Sequence, residues 1–293
     1  MSTSTAAPAR VDPLLLGAVG LMVALAIYAV AIEPMRLVVT THRVPLRGLQ
    51  APIRALVIGD PQPLWPWWDA ERLRDTMRTA AALQPDVVFF VGDYAYENHF
   101  LKSRGWHGPF FVDPADTIAA MTELRPPMGA FAVMGNHDWW WDGPAVLALL
   151  KPTHIRVLMD EAVRIEGQGA ALWVVGLEDL STPRAIDLNK AYAGVDDSAP
   201  VVTLSHSPDI FRSLPSNAQL MVSGHTHGGQ VWLPLLGRPM VPIEDKRLAY
   251  GHIEAEGRHA VVTGGLGMSI LPVRFMTPPE LTLVELVPAA PGS

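Results

Sequence analysis

Hydrophobic and polar positions fall into two regimes along this chain. From Leu14 to Ile32 the residues read LLLGAVGLMVALAIYAVAI, with no charge and no alternation. After a polar, extended connector to about Gln50, short apolar runs alternate with amphipathic stretches. The runs RALVIGD, DVVFFVGD, GAFAVMGNHD, LWVVGLEDL, PVVTLSHSP and AQLMVSGHTHGG each read as a buried strand that breaks into polar residues at its end. Between the first two lies DAERLRDTMRTAAAL, whose spacing predicts a helix opened by Asp69 as its N-cap. Strand, helix and strand in this order make a βαβ unit, and the alternation predicts an α/β layer structure, one domain over about residues 51–288. Ligands of open α/β sheets gather at the carboxyl edge of the strands, where these polar residues fall.

The first regime reads as a transmembrane helix over residues 14–32, between a tail (1–13) and a connector (33–50). At ~1.5 Å per residue such a helix nearly crosses a ~30 Å hydrocarbon layer. Two rival readings share the stretch: a secretory signal cleaved near Ala29-Val30-Ala31, and a buried core helix. Arg10, offset by Asp12, precedes the run, whereas Arg36, Arg43 and Arg47 follow it. The positive-inside tendency therefore leans the main domain toward the cytoplasmic side of a single-pass cell-membrane protein.

Composition then narrows the chemistry. A chain of 293 residues, 49% of them hydrophobic, has material for a large core. With no cysteine, disulfides, zinc-thiolate sites and thiol nucleophiles are excluded, so a metal would be held by His, Asp, Glu, Asn or Gln. A net charge of −7 without a long basic run offers no footprint for nucleic-acid backbones, and points instead to small-molecule or lipid substrates. The strand ends supply Asp60, Asp93, Asn136, His137, His206, His225 and His227. Singly, each is ordinary. VIGDPQP and GNHD are turn sequences, and the His of SHSPD suits a core or capping role. GHTHGG is either a polar loop or a ligand pair whose imidazoles point the same way if the backbone is extended. Their recurrence at successive strand ends, in one order, is hard to explain as loop chemistry.

Gly92-Asp93, the GNHD of Gly135 to Asp138, Ser205-His206 and the GHTH of Gly224 to His227 resemble the ordered signature of the calcineurin-like metallophosphoesterases. GHTHGGQVWLPLLG and GGLGMSILPVRFMTPPELTLVEL are similar to the membrane-anchored bacterial phosphodiesterase branch of that family. The resemblance implies a four-layer αββα sandwich with a centre for two divalent metal ions, Mn, Fe or Zn. It implies that Asp93 bridges both ions, that Asp60 and His227 complete one site, and that Asn136, His206 and His225 complete the other. A hydroxide shared by the two ions would attack phosphorus in line. His137 would stand over the leaving group as a general acid or charge stabiliser.

The sequence departs from that pattern twice. The family's first motif is Asp, any residue, His, whereas Asp60-Pro61-Gln62 would offer the metal the amide oxygen of Gln62, a weaker donor. Where many members carry a carboxylate three residues after the GD Asp to orient the catalytic His, Tyr96 stands, followed by Glu97. The implied function is hydrolysis of a phosphodiester or pyrophosphate bond. A lipid-linked substrate is suggested by the anchor and by the tryptophans of LWPWWD and HDWWWD, which read either as packing over loops or as an apolar wall. The rival is a non-catalytic or monometallic relative that binds a phosphorylated ligand in the same cleft. Arg274 reads either as a contact to a substrate phosphate or as a structural residue.

Overall fold

The computed structural model describes residues 12–97, 111–180, 182 and 185–290. Asp12 caps the first helix, α1 (Pro13–Ile27), by accepting from the Leu14 amide at 2.9 Å. A π-helical turn (Tyr28–Ile32) and a 3-10 turn (Glu33–Met35) continue it. Together they make a 23-residue helix, long and apolar enough to cross a membrane. Only 6% of its most apolar window is buried, which excludes the core-helix reading.

Two six-stranded mixed sheets follow. In the first, the order runs β1 (Val38–Leu46), β12 (Glu280–Pro288), β2 (Ile53–Ile58), β3 (Val87–Phe90), β4 (Ala130–Ala132) and β5 (Ile155–Val157). In the second it runs β10 (Gly251–Ala255), β11 (Arg258–Val262), β9 (Ala218–Ser223), β8 (Val201–Leu204), β7 (Ala170–Gly176) and β6 (Glu161–Gly167). The sheets face each other across a core that includes Val57, Phe89 and Val133 from one and Leu172, Val202 and Leu220 from the other. Burying such a side chain fully contributes about 1.5–3 kcal/mol, so this inner seam is the main source of cohesion.

The two outer layers are unequal. Over the first sheet lie α2 (Ala70–Ala82), α3 (Pro114–Met121) and α4 (Asn136–Leu150), packing Leu73, Met77, Ile118, Val146 and Leu150 onto Leu56, Val88 and Phe90. As expected, Asp69 caps α2, accepting from the Arg72 amide at 2.8 Å. Over the second sheet lie the four-residue helix α5 (Leu188–Ala191) and 3-10 turns at Pro208–Ser213 and Lys246–Leu248. This is the expected αββα layering, with a thin fourth layer.

The connector read over residues 33–50 is no free tether. Nine of its residues form β1, which pairs parallel with β12 from Val38↔Glu280 to Leu46↔Pro288. Its burial alternates along the strand, as on a half-covered edge. Glu33 accepts from the amides of Met276 and Thr277 at 2.7 and 2.6 Å, and Arg274 N–H donates to the Ala29 carbonyl at 3.0 Å. The exit of α1 is thus bonded to the loop before β12.

Candidate metal centre

Asp60 follows β2, Asp93 follows β3, Asn136 opens α4 after β4, His206 follows β8, and His225 and His227 follow β9. All lie beyond the carboxyl ends of their strands, and the structure brings them to one place between the two sheet edges. The backbone is bent hard to do so. Asp60, Gln62, Asp93, His225 and His227 all have positive φ, between 27° and 67°, a region that non-glycine residues enter at a cost and chiefly at functional sites. The bend also changes the reading of GHTH: its two imidazoles are not a same-facing extended pair, and each enters a different half of the centre.

The glycines of the motifs have a spatial reason. At Gly135 a Cβ would sit 2.2 Å from Asp93 Oδ1, and at Gly92 one would sit 2.7 Å from both Gly135 N and His206 Nδ1. Asp138, to which the sequence reading gave no role, organises the crossing of these loops. Its buried carboxylate accepts from the amides of Asp93, Tyr94, Ala95 and Gly135 at 2.7–3.0 Å. The signal was present in GNHD, where Asp falls at the third helical position, a usual place for a carboxylate that caps backward.

One half of the centre is formed by Asn136 Oδ1, His206 Nε2 and His225 Nδ1. The oxygen lies 2.9 Å from each nitrogen, and the nitrogens are 3.2 Å apart. The far nitrogens settle the tautomers: His206 Nδ1–H donates to the Val91 carbonyl at 2.7 Å, and His225 Nε2–H donates to the Pro242 carbonyl at 3.2 Å. In the neutral rings, the lone pairs of Nε2 and Nδ1 therefore converge with an amide oxygen and, 3.3 Å from His206, with Asp93 Oδ2. Acceptors converge this way when a cation belongs among them, and ring nitrogens tied to carbonyls are the usual outer support of metal-bound histidines. Without a cation a proton takes the place: His206 is raised well above its ordinary value, against its own burial, by Asp93 and Asp60. His225 is lowered to about 4 by burial and by the His206 charge.

In the other half, ligand atoms of Asp60, Asp93 and His227 lie within 4.8 Å of one another. His227 Nε2 is 3.9 Å from Asp60 Oδ1, and Asp60 accepts from the His225 amide at 2.9 Å. Burial raises Asp60 to about 7, with the Asp93 charge pushing the same way and His206 opposing. Asp93 is lowered, although burial works against this, by His206 and His137. Two buried carboxylates at this range need a counter-charge, which suits a dication. Gln62 is fully buried here. Its Nε2 donates to Asp93 Oδ2 at 2.9 Å, while its Oε1 and His227 Nδ1 are buried with no hydrogen-bond partner among the described residues.

His137 holds the centre by its backbone, donating its amide to Asp93 Oδ1 at 2.9 Å. Its ring lies between Trp140, 4.8 Å away, and Tyr96, 6.5 Å away and inclined 26° to it, with Ser269 Oγ 3.3 Å from Nε2. Tyr96 thus packs on the imidazole at the position where a carboxylate was expected, and Ser269 is a contact the sequence reading missed. The tryptophans divide: Trp68 is fully buried and Trp67, Trp139 and Trp141 are half-buried against the helical layer, whereas Trp65 and Trp140 are exposed. Arg274 does not face a substrate. It is fully buried, and its guanidinium donates to the carbonyls of Gly264, Gly265, Gly267 and Thr277. It clamps the loop between β11 and β12.

Residues 53–229 match the calcineurin-like phosphoesterase family. Phosphodiesterase YaeI of Escherichia coli (strain K12) is 30% identical over 221 residues, covering 73% of this chain and 75% of the relative. The uncharacterized metallophosphoesterase YkuE of Bacillus subtilis (strain 168) is 27% identical, covering 75% of this chain and 74% of the relative. A transmembrane protein with metallophosphoesterase domain from Bos taurus is 29% identical, covering 66% of this chain and 45% of the relative.

Proposed function

Because the chain belongs to the calcineurin-like phosphoesterase family of hydrolases acting on phosphoric esters, we propose that it cleaves a phosphodiester or pyrophosphate bond with two divalent metal ions, on a lipid-linked substrate. Asp93 would serve both ions, Asn136, His206 and His225 one, and Asp60, His227 and Gln62 the other. The observation that carries this reading is the convergence of Asn136 Oδ1 and the two ring lone pairs, with both far nitrogens tied to carbonyls. When bound, the ions would supply Lewis acidity toward the phosphoryl oxygens and an acidified water.

The chain's own residues supply the rest. The buried carboxylates and imidazoles would hold the ions and so set where a phosphoryl group can bind. The His137 ring, which borders Ser269 and Trp140, is placed to give a proton to the departing oxygen or to stabilise its charge. Trp140, exposed and against His137, offers an apolar face beside the reacting group. Metals could be Mn, Fe or Zn, since an N and O donor set admits all three.

One observation favours a second reading. Gln62 gives its N–H, and no oxygen, to Asp93, so the Asp60 half could stay empty and leave a monometallic or purely ligand-binding protein. Turnover of bis-p-nitrophenyl phosphate against p-nitrophenyl phosphate, with metal content measured on the same sample, separates the two. Diester turnover with two metals per chain supports the proposal; one metal per chain or no turnover supports the rival.

A further inference from the structure

The loops beside the centre display large apolar side chains to solvent. Leu235 and Leu236 are 105% and 75% exposed, Ile270 and Leu271 are 70% and 64%, and Trp65 and Met276 are about half exposed, at 51% and 49%. Leu235, Ile270 and Met276 are moreover held at positive φ, between 55° and 72°, which for a branched residue such as Ile270 is a costly backbone. Strain that presents an oily side chain to water calls for a function.

These loops form one surface, and its bonding places it at the exit of α1. The hairpin tip of Leu235 and Leu236 is closed by Leu233 pairing with Gly237, and Trp232 N–H donates to the Phe275 carbonyl at 2.9 Å. The Gln230 amide donates to the carbonyls of Leu271 and Val273 at 3.0 and 3.1 Å. Phe275 meets Tyr28 of the π-turn edge to face at 6.2 Å, Arg274 holds the Ala29 carbonyl, and Glu33 holds Met276 and Thr277. Trp67, from the same segment as Trp65, donates its indole N–H to the Val30 carbonyl. A 23-residue helix is about 35 Å long at ~1.5 Å per residue, so only its last few residues, 33–35, pass the boundary of a ~30 Å hydrocarbon layer. Whatever is bonded to Ala29, Val30 and Glu33 then lies between the outer hydrocarbon and the headgroups. On the other side the same loop carries Ser269, 3.3 Å from His137.

We propose that the tips of residues 233–237 and 269–276 insert into the membrane face from which α1 emerges. The mouth of the centre then sits against the headgroups and takes a phosphoester carried by a lipid of that same leaflet. The inference rests on the phosphoesterase reading of the centre and on α1 as a span, and it adds the occupant of the apolar rim and the origin of the substrate.

The absence of cysteine allows single labels in the full-length chain. Leu236→Cys, Leu271→Cys and Lys151→Cys, the last at the exposed far end of α4, would each carry a small fluorophore in phosphatidylcholine and phosphatidylglycerol vesicles. Labels at 236 and 271 are expected to be quenched by nitroxide lipids and shielded from iodide, and the label at 151 to behave oppositely. If 236 and 271 follow 151 while the chain survives carbonate washing, insertion is refuted; a chain stripped by carbonate refutes the anchor instead. The second arm uses Leu235→Glu with Leu236→Glu, Ile270→Glu and Leu271→Glu. Hydrolysis of bis-p-nitrophenyl phosphate is expected to be unchanged, and hydrolysis of a vesicle-borne fluorescent phosphodiester lipid to fall by about tenfold or more, as expected when apolar insertion is lost. Equal loss on both substrates, or on neither, overturns the lipid origin; a wild type inactive on both overturns the phosphoesterase reading alone.

Discussion

The two halves of the centre are built from the same kinds of side chain but are supported differently. Around Asn136, His206 and His225, each ring has its outer nitrogen fixed by a backbone carbonyl, so the inner lone pairs are aimed before any ion arrives. Around Asp60, Gln62 and His227, two polar atoms, Gln62 Oε1 and His227 Nδ1, are buried without partners among the described residues. The first half is preorganised by its outer contacts; the second is a set of groups waiting for a charge. Since outer support of a ligand is typically worth ~10- to 100-fold in metal affinity, the halves should fill in sequence, the His206 half first.

The largest disturbance removes what the halves share. Asp93→Asn should abolish diester turnover and lower the content of both metals, because the neutral amide cannot serve two cations; retained metal with lost turnover would deny it the shared role. His137→Ala should lower turnover by ~10²- to 10⁴-fold, as loss of a general acid does, with metal content of both halves unchanged by elemental analysis. A fall in metal content would place the ring among the ligands.

Acidity should weaken metal binding at both halves. His206 is raised by its carboxylate neighbours and Asp60 is raised to about 7 chiefly by burial, so below these values each carries a proton that must leave for a cation to enter. Below these values the protonated forms compete, so affinity for Mn²⁺ falls as pH falls, by about tenfold per unit for each proton displaced. Isothermal titration in buffers of different ionisation heat counts those protons; a pH-independent affinity would contradict the assignment.

The smallest change sharpens the comparison most. Gln62→His should tighten the weaker half and shift its preference toward Zn²⁺, while Gln62→Ala should weaken that half more than the other, by ~10-fold, through loss of the buried Gln62 Oε1 as a donor. Titrations of the three proteins with Mn²⁺ and Zn²⁺ that superimpose would detach Gln62 from metal binding.

What the sequence made legible followed from local pattern. Runs such as DVVFFVGD carry their strand and their polar ending together, so the meeting of Asp60, Asp93, Asn136, His206, His225 and His227 could be read from strand ends. The apolar stretch behind α1 is equally local. β1 escaped because half-buried alternation over a few residues is a weak signal, and its partner lies 242 positions away. The divergence of His225 and His227 escaped because it depends on positive φ, which the pattern of side chains does not encode. Arg274 was ambiguous because only the folded loop shows which carbonyls surround it.

The pairing of β1 with β12 also sets an order of assembly. At ~5–20 residues per second, the ribosome delivers β12 roughly ten to fifty seconds after β1. During that interval β1 waits with an unpaired edge. Its threonines, His42 and Arg43 keep that edge soluble meanwhile, much as charged and polar groups guard exposed strands elsewhere. Since β12 lies between β1 and β2, its arrival is what closes the first sheet onto the exit of α1, so the clamp of Arg274 and Glu33 forms late. A nascent chain stalled before residue 280 should therefore carry an open rim and no competent centre, a built-in delay between the synthesis of α1 and activity.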